Sequence, residues 1–344
     1  MRVGLLTSIP ITISAFFADW IEYWTQLGHV VLTASGPPAR PLFIDNRWHS
    51  TLASLSQRPR IHSWRAPMEI RRWQQSNKLD VVVANTATAS FLSRMKKPPS
   101  PVIYFCHGLH WGDGTTGGKI AWEMLEKYAL RNTAAVVTMN SSDRGWFDKA
   151  ERPRFHLNLK YGVGLNTDSW PRMASSRPTD SLKLLWVGSF TKRKAPQVFV
   201  DLVRLLVSRG LAVEGVMLGE GPLQSRVRKS AVGLPISFPG QQKPLAFLES
   251  CHGVVLTSSW EGLTRVGLEA CAVGRPLFGF DVKGVCDLPN AFVSETHKGS
   301  QGLADNISAW LKMPIVRLPA LQDLDFRKPA QAVLDLAVNV SHES

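Results

Sequence analysis

Short apolar runs recur along this chain at the spacing of strands separated by helices, and the series occurs twice. In the first half the runs are Val3–Leu6, Val30–Ala34, Leu79–Ala84 and Val102–Cys106; in the second they are Leu182–Val187, Val213–Leu218 and Leu277–Phe280. Apolar runs this short, bounded by turn residues, predict strands buried on both faces. Segments such as Ser14–Leu27 and Pro196–Ser208 lie between them with helical periodicity. The alternation predicts an α/β fold of two doubly wound parallel sheets, whose ligands lie beyond the carboxyl ends of the strands.

The chain has 344 residues and 44% hydrophobic content, enough for two domains with their own cores. Pro171–Asp180 is polar, short in side chains and proline-containing, so it reads as a linker. We place an N-terminal domain at 1–170, a linker at 171–180, a C-terminal domain at 181–320 and a tail at 321–344 with a helix at Pro329–Val340. Met1–Ala18 carries one cation before an apolar tract, as a secretory leader does. Asp19 and Glu22 make the following helix too polar for a signal core, and Gly28-His29 stops it before the next strand, so this is a βαβ opening. No uninterrupted apolar run is long enough to predict a spanning helix. Cys106, Cys251, Cys271 and Cys286 lack C-x-x-C spacing and read as buried thiols in a reducing compartment.

The formal charge is +13, with 22 Lys and Arg against 13 Asp and Glu in residues 1–180, and 18 against 14 in residues 181–344. Cations at Arg58–Arg72 and at Arg94, Lys96 and Lys97 alternate with Trp64, Trp73 and Phe91, which suits either an anionic membrane surface or nucleic acid. No recognition motif for nucleic acid accompanies the charge, and none is expected as a partner. A nicotinamide-dependent oxidoreductase is disfavoured because no G-x-G-x-x-G follows the first strand. Asp323 and Asp325 form the one D-x-D; they are expected in an exposed acidic turn of the tail, and no metal is expected.

The stretch Ser258–Gly284 concentrates the chemistry. Glu261 and Glu269 have seven residues between them, and Val266–Ala272 reads as a helix stopped by Gly274-Arg275-Pro276. Eight helical residues rise about 12 Å, a separation that would let one carboxylate reach sugar hydroxyls and the other ribose hydroxyls. The same pair also fits two ordinary helix-terminus glutamates. Gly188-Ser-Phe-Thr-Lys-Arg-Lys194 follows a strand and precedes a helix, so clustered cations and amides at a helix N-terminus predict a diphosphate site.

The E-x7-E stretch resembles the signature of retaining glycosyltransferases of family 4, which have the GT-B fold of two Rossmann-like domains facing a central cleft. The resemblance extends in order through Gly28-His29, His107-Gly, Gly162-Val-Gly164, the lysine turn and Gly219-Glu-Gly-Pro222. The run from HGLHW to NSSD is similar to a subset that builds bacterial surface polysaccharides. It implies a metal-independent, cofactor-free hexosyltransferase acting from a nucleotide-sugar donor, UDP by family frequency, on a lipid-linked or glycan acceptor. The expected location is cytoplasmic, peripheral at the inner face of the membrane. By resemblance, His107 and Glu261 are catalytic, beside the donor sugar; Glu269 meets the ribose; Lys194, with Lys192 or Arg193, holds the diphosphate; Gly262, Leu263 and Thr264 complete the donor contacts. His110 would shape its loop, and Asp287 would close the sugar pocket or cap a helix. His252 reads as structural. Ser189 stands where the family usually has arginine, Thr264 where many members have glycine and Val266 where many have proline. The missing cation makes a catalytically weak, glycosyltransferase-like partner the alternative.

Overall fold

The computed structural model describes all residues except 38–47, 58–60, 110–118, 151–152, 154, 174–177, 179, 314–319 and 344. Two compact units are present, Met1–Gly164 with Phe326–Ser344, and Leu165–Asp325. In chain order the first contains β1 (Arg2–Thr7), α1 (Ala18–Gln26), β2 (Val30–Ser35), β3 (His49–Thr51), α2 (Ala66–Ser76), β4 (Val81–Asn85), α3 (Ala87–Arg94), β5 (Val102–Phe105), α4 (Lys119–Ala129), β6 (Ala135–Thr138), α5 (Ser141–Ala150) and β7 (Phe155–Asn158). Its sheet runs β3-β2-β1-β4-β5-β6-β7 with every neighbouring pair parallel.

The second unit contains β8 (Leu182–Val187), α6 (Pro196–Ser208), β9 (Val213–Leu218), α7 (Gln224–Ser230), β10 (Ile236–Gly240), α8 (Leu245–Ser250), β11 (Gly253–Leu256), α9 (Arg265–Val273), β12 (Leu277–Phe280), β13 (Ala291–Ser294) and α10 (Gly299–Lys312). Its parallel sheet runs β10-β9-β8-β11-β12-β13. The last helix, α11 (Arg327–His342), belongs to the first unit. Strand order reverses between β1 and β4 in one sheet and between β8 and β11 in the other. Such switch points open a crevice at the strand ends.

Aromatic burial holds the first unit's α1 side. Trp20 and Trp24 are fully buried with ring centroids 5.5 Å apart. Their indole N–H groups donate to Val163 O at 2.9 Å and Ala330 O at 3.0 Å. A buried indole without an acceptor would be costly, so the second bond ties α11 to α1. A π-helical turn, Ile13–Phe17, replaces the expected start of the first helix. It brings both Phe16 and Phe17 against the His107 ring, at 5.9 and 6.2 Å between centroids. In the second unit, the Gly219-Glu-Gly-Pro loop lies directly on the loop after β8. A Cβ at Gly219, where φ is +121°, would fall 2.1 Å from Gly188 O.

Two expectations are corrected here. Arg94 is not a surface cation: it is fully buried, paired with Glu126 at 2.7 Å, bonded to Ser90 O and Thr133 Oγ1, and stacked 4.1 Å from the Tyr104 ring centroid. It ends α3 on the inward face, where α4 supplies its carboxylate. Trp73 likewise belongs to the core, and Cys286 is exposed, unlike the other three cysteines, which are buried.

Breaking one side of a buried ion pair leaves an uncompensated charge, typically costing about 3–5 kcal/mol. Arg94→Met or Glu126→Leu should therefore lower stability in urea by about that much, and the double variant should be less destabilised than either single one. A double-variant effect equal to the sum of the two single effects would mean that the pair is energetically uncoupled.

Candidate active site

The residues expected to handle diphosphate and sugar converge at the second unit's switch point. Lys194 ends the loop after β8, and Glu261 lies in the loop after β11. The Glu261 carboxylate is bracketed by cations: one oxygen accepts from Lys194 Nζ and the other from Arg193 Nη1 at 2.9 Å. Arg193 also donates to Trp260 O at 3.1 Å and stacks over the Trp260 ring at 4.9 Å. Thr257, the first residue after β11, locks the two loops together. Its hydroxyl accepts from Trp186 Nε1 at 2.9 Å and donates to Lys194 O at 2.6 Å. A third loop joins through Glu261 N, which donates to Lys283 O at 3.1 Å. Gly284 is required beside it, since φ is +74° and a Cβ would fall 2.4 Å from Gly262 O.

Burial alone would raise the Glu261 pKa, but Lys194 and Arg193 outweigh it and hold the carboxyl below its ordinary range. Glu269 goes the other way. It is buried on α9, and burial raises its pKa despite Arg265, whose Nε donates to it at 3.1 Å. The two glutamates do not stand on one helical run, as the 12 Å estimate assumed. Glu261 precedes α9, which begins at Arg265 after the extended Thr264. Gly262 and Leu263 are half-buried in that loop, and Thr264 is buried.

The diphosphate turn also differs from expectation. At the α6 N-terminus Pro196 has no N–H and Val198 N is bonded to Ala195 O, so, among the described residues, Gln197 N–H is the open amide of the first three, and Ala195 before them is left-handed at φ +41°. In α9, by contrast, Val266 and Gly267 N–H have no acceptor among the described residues. Such first-turn amides carry the positive end of the helix dipole. Sequence reasoning named the α6 amides and not those of α9; the only signal was that a proline opens α6 and none opens α9. Of the two alternative cations, Arg193 joins the cluster, whereas Lys192 is exposed without an ion pair among the described residues. Ser189 is exposed.

His107 lies at the strand ends of the first unit, immediately after β5. Its Nε2–H donates to Asn85 Oδ1 at 3.2 Å, and Asn85 Nδ2 donates to Val83 O at 3.2 Å, which fixes the amide's orientation. The imidazole is thereby the Nε2–H tautomer, with Nδ1 an acceptor. Burial against the Phe16, Phe17 and Phe105 rings pushes its pKa down to about 4. Nearby, Thr86 is held at φ +65°, unusual for a β-branched residue, and accepts from Ser8 N at 2.9 Å. Strain of this kind at a switch point marks functional crevices. Asp143, the acid of the NSSD run, accepts from Leu109 N at 3.2 Å and so braces the residue after His107-Gly108.

The remaining candidates fall outside these clusters. His110 and its glycine loop lie outside the described residues, as do Arg58 and part of the linker. Asp287 caps no helix, because residues 283–287 form a turn leading to β13. Asp325 is buried and accepts from Thr167 Oγ1 at 2.6 Å, correcting the expected exposed acidic turn. His252 Nδ1 accepts from Lys183 N at 3.0 Å, a bond between backbone and side chain at the start of β8.

Comparison with known proteins bears on the fold. Residues 12–154 match the model of the glycosyl transferase 4-like domain, and residues 181–313 that of glycosyl transferases group 1. An alpha-D-kanosaminyltransferase of Streptomyces kanamyceticus is 27% identical over 46% of this chain and 46% of its own length. A GDP-mannose-dependent alpha-(1-6)-phosphatidylinositol dimannoside mannosyltransferase of Mycobacterium tuberculosis is 28% identical over 45% of this chain and 44% of its own. The chain thus spans about half the length of the curated relatives it matches. The structure of HepE from Anabaena in complex with UDP and glucose superposes with a TM-score of 0.69 at 15% identity, covering 100% of this chain and 98% of that one. The fold is GT-B, and the chain carries a glycosyltransferase domain of each matched kind.

The lowered His107 pKa has a defined consequence. The unfolded chain binds a proton near pH 6.5 and the folded chain only near pH 4, so stability is present above pH 6.5 and lost as pH falls towards 4. The loss attributable to His107 amounts to at most about 1.4 kcal/mol per pH unit. His107→Gln should flatten the acid limb of a stability–pH profile over that window; an unchanged limb would show that His107 is not buried neutral.

Proposed function

We propose that the chain is a retaining glycosyltransferase that moves a hexose from a nucleoside-diphosphate sugar to a glycan or lipid-linked acceptor in the building of a bacterial surface polysaccharide. The observation that carries the proposal is the Glu261 carboxylate held between Lys194 and Arg193 beside the unpaired amides that open α9. A site that holds a carboxylate between two cations is one where an anionic diphosphate competes well. Charge on the leaving phosphate grows as the anomeric bond breaks, so these cations and amides stabilise the transition state more than the ground state. Displacing Glu261 from Lys194 frees its carboxylate to accept hydrogen bonds from the donor sugar.

In this reading Glu269 meets the ribose hydroxyls, and Gly262 to Thr264 line the sugar. Attack by the acceptor hydroxyl on the face the diphosphate leaves gives retention without a protein nucleophile, the departing phosphate taking the proton. In the first unit, neutral His107, with Nδ1 as acceptor, is the group we propose to bind a substrate hydroxyl. Lys194, Arg193 and the α9 amides supply positive charge without a divalent ion, so we expect metal-independent turnover. The basic first half suits a peripheral position on an anionic membrane, where lipid-linked acceptors are found. UDP is the favoured donor nucleotide.

A second reading, a catalytically weak binding partner, is favoured by one feature: exposed Ser189 leaves the turn one cation short. Thermal unfolding with UDP or GDP in the presence of a chelator, alongside turnover of the corresponding sugar nucleotides, separates the two. A ligand at 100 times its dissociation constant adds about 2.7 kcal/mol. We expect a stabilising shift of several degrees that Glu269→Ala abolishes, and a fall of about a hundredfold or more in kcat for Lys194→Ala. Binding without turnover would establish the second reading. No shift with either nucleotide would refute both.

A further inference from the structure

The first unit carries an inverted helix. In α4 the two acidic side chains turn inward: Glu126 is buried against Arg94, and Glu123 accepts from Trp146 Nε1 at 3.4 Å and pairs with Lys127 at 3.0 Å. The apolar side chains turn outward instead. Ile120 is 75% exposed, Met124 66%, Trp122 52%, Tyr128 49% and Leu125 41%. On a helix of period 3.6 these five positions span one broad outward arc, and no acid lies on it. No other helix among the described residues leaves so many large apolar side chains in water.

Cations surround the arc. Arg131, just past the helix, is exposed and stacks over Tyr128 at 5.6 Å. Right-handed crossovers stepping in one direction place α2, α3 and α4 on the same face of the sheet. Exposed Lys96 and Lys97 lie at the end of α3, and Arg71 of α2 donates to Lys97 O at 2.8 Å. Arg72 is exposed on the same helix, and Trp64 just before it is 66% exposed. The helix layer thus presents apolar and aromatic groups with positive charge around them. Eleven residues rise about 16 Å, too short to span a bilayer, and no helix among the described residues is long and apolar enough to cross one.

We propose that α4 is a membrane-interface helix: its outward arc seats at the headgroup–acyl boundary of an anionic bilayer, with Lys96, Lys97, Lys127 and Arg131 on the lipid phosphates. The charge decides the occupant. A second copy would bring the same positive rim against itself, whereas an anionic surface attracts every cation of that rim. The inference rests on the peripheral-membrane part of the proposed function and identifies the surface responsible, replacing Arg94 and Trp73, which are buried.

The test uses the full chain with vesicles of phosphatidylcholine alone or of equimolar phosphatidylcholine and phosphatidylglycerol, read by co-sedimentation. We expect binding to the anionic vesicles only, with salt weakening it. The triple variant Ile120→Gln, Trp122→Gln, Met124→Gln should bind at least ten-fold more weakly at an unchanged unfolding midpoint. Met124→Glu, a single change at an exposed position, should weaken anionic binding in the same direction. Wild-type binding retained in these variants would overturn the proposal. So would indifference to vesicles together with self-association that the triple variant abolishes, which would make the arc an interface between copies. The nucleotide-induced thermal shift is measured on the same proteins: vesicle binding through α4 without any nucleotide shift would refute sugar transfer and leave the membrane surface standing.

Discussion

Parallel strands cannot be joined by tight hairpins; each needs a crossover, and the crossovers here are helices that cover both faces of each sheet. That constraint leaves the strand ends as the place where polar loops can gather. In the second unit, the loops after β8, β11 and β12 are fastened to one another by Thr257, by Glu261 N and by the close approach at Gly284. In the first, Asn85 at the end of β4 fixes the tautomer of His107 after β5. Both clusters flank the points at which strand order reverses or lie one strand beyond, where neighbouring loops part and leave room for a ligand.

The electrostatics of the second cluster follow from this geometry. Two glutamates eight positions apart have opposite pKa shifts because only one meets two cations. Glu261 is buried but over-compensated by Lys194 and Arg193, while Glu269 is buried with Arg265 alone. Environments that separate like groups in this way assign them different work. Glu261 is a carboxylate held ionised by its two cations, and Glu269 is a more basic carboxyl within the helix. The first unit shows the same logic in a structural role, where Arg94 and Glu126 are buried together and leave the outer side of α4 to apolar groups.

The fold was legible because burial on both faces forces strands to be continuous apolar runs, and the second unit's β8, β9 and β12 and helix α6 begin and end at the residues expected. Periodicity also identified the βαβ opening. It could not reveal the π-helical turn at Ile13–Phe17, which adds one residue to a pattern otherwise helical. Residue type named Lys194, Glu261 and Glu269, but not that Glu261 is clasped by cations 67 and 68 positions away, nor that α9 has open amides of its own. Arg94 and α4 misled for a shared reason: a cation in a basic cluster and an acid on a helix both read as surface groups. Only their mutual burial, 32 positions apart, turns the helix inside out.

The central claim is that Lys194 and Arg193 receive a diphosphate in exchange for Glu261. Phosphorus NMR of UDP and GDP titrated with the protein in chelator tests it most directly. The account predicts that the β-phosphate line of one nucleotide moves on binding to the wild-type chain and stays at its free position with Lys194→Met. A β-phosphate line that does not move with the wild-type protein, or moves equally with Lys194→Met, would contradict it.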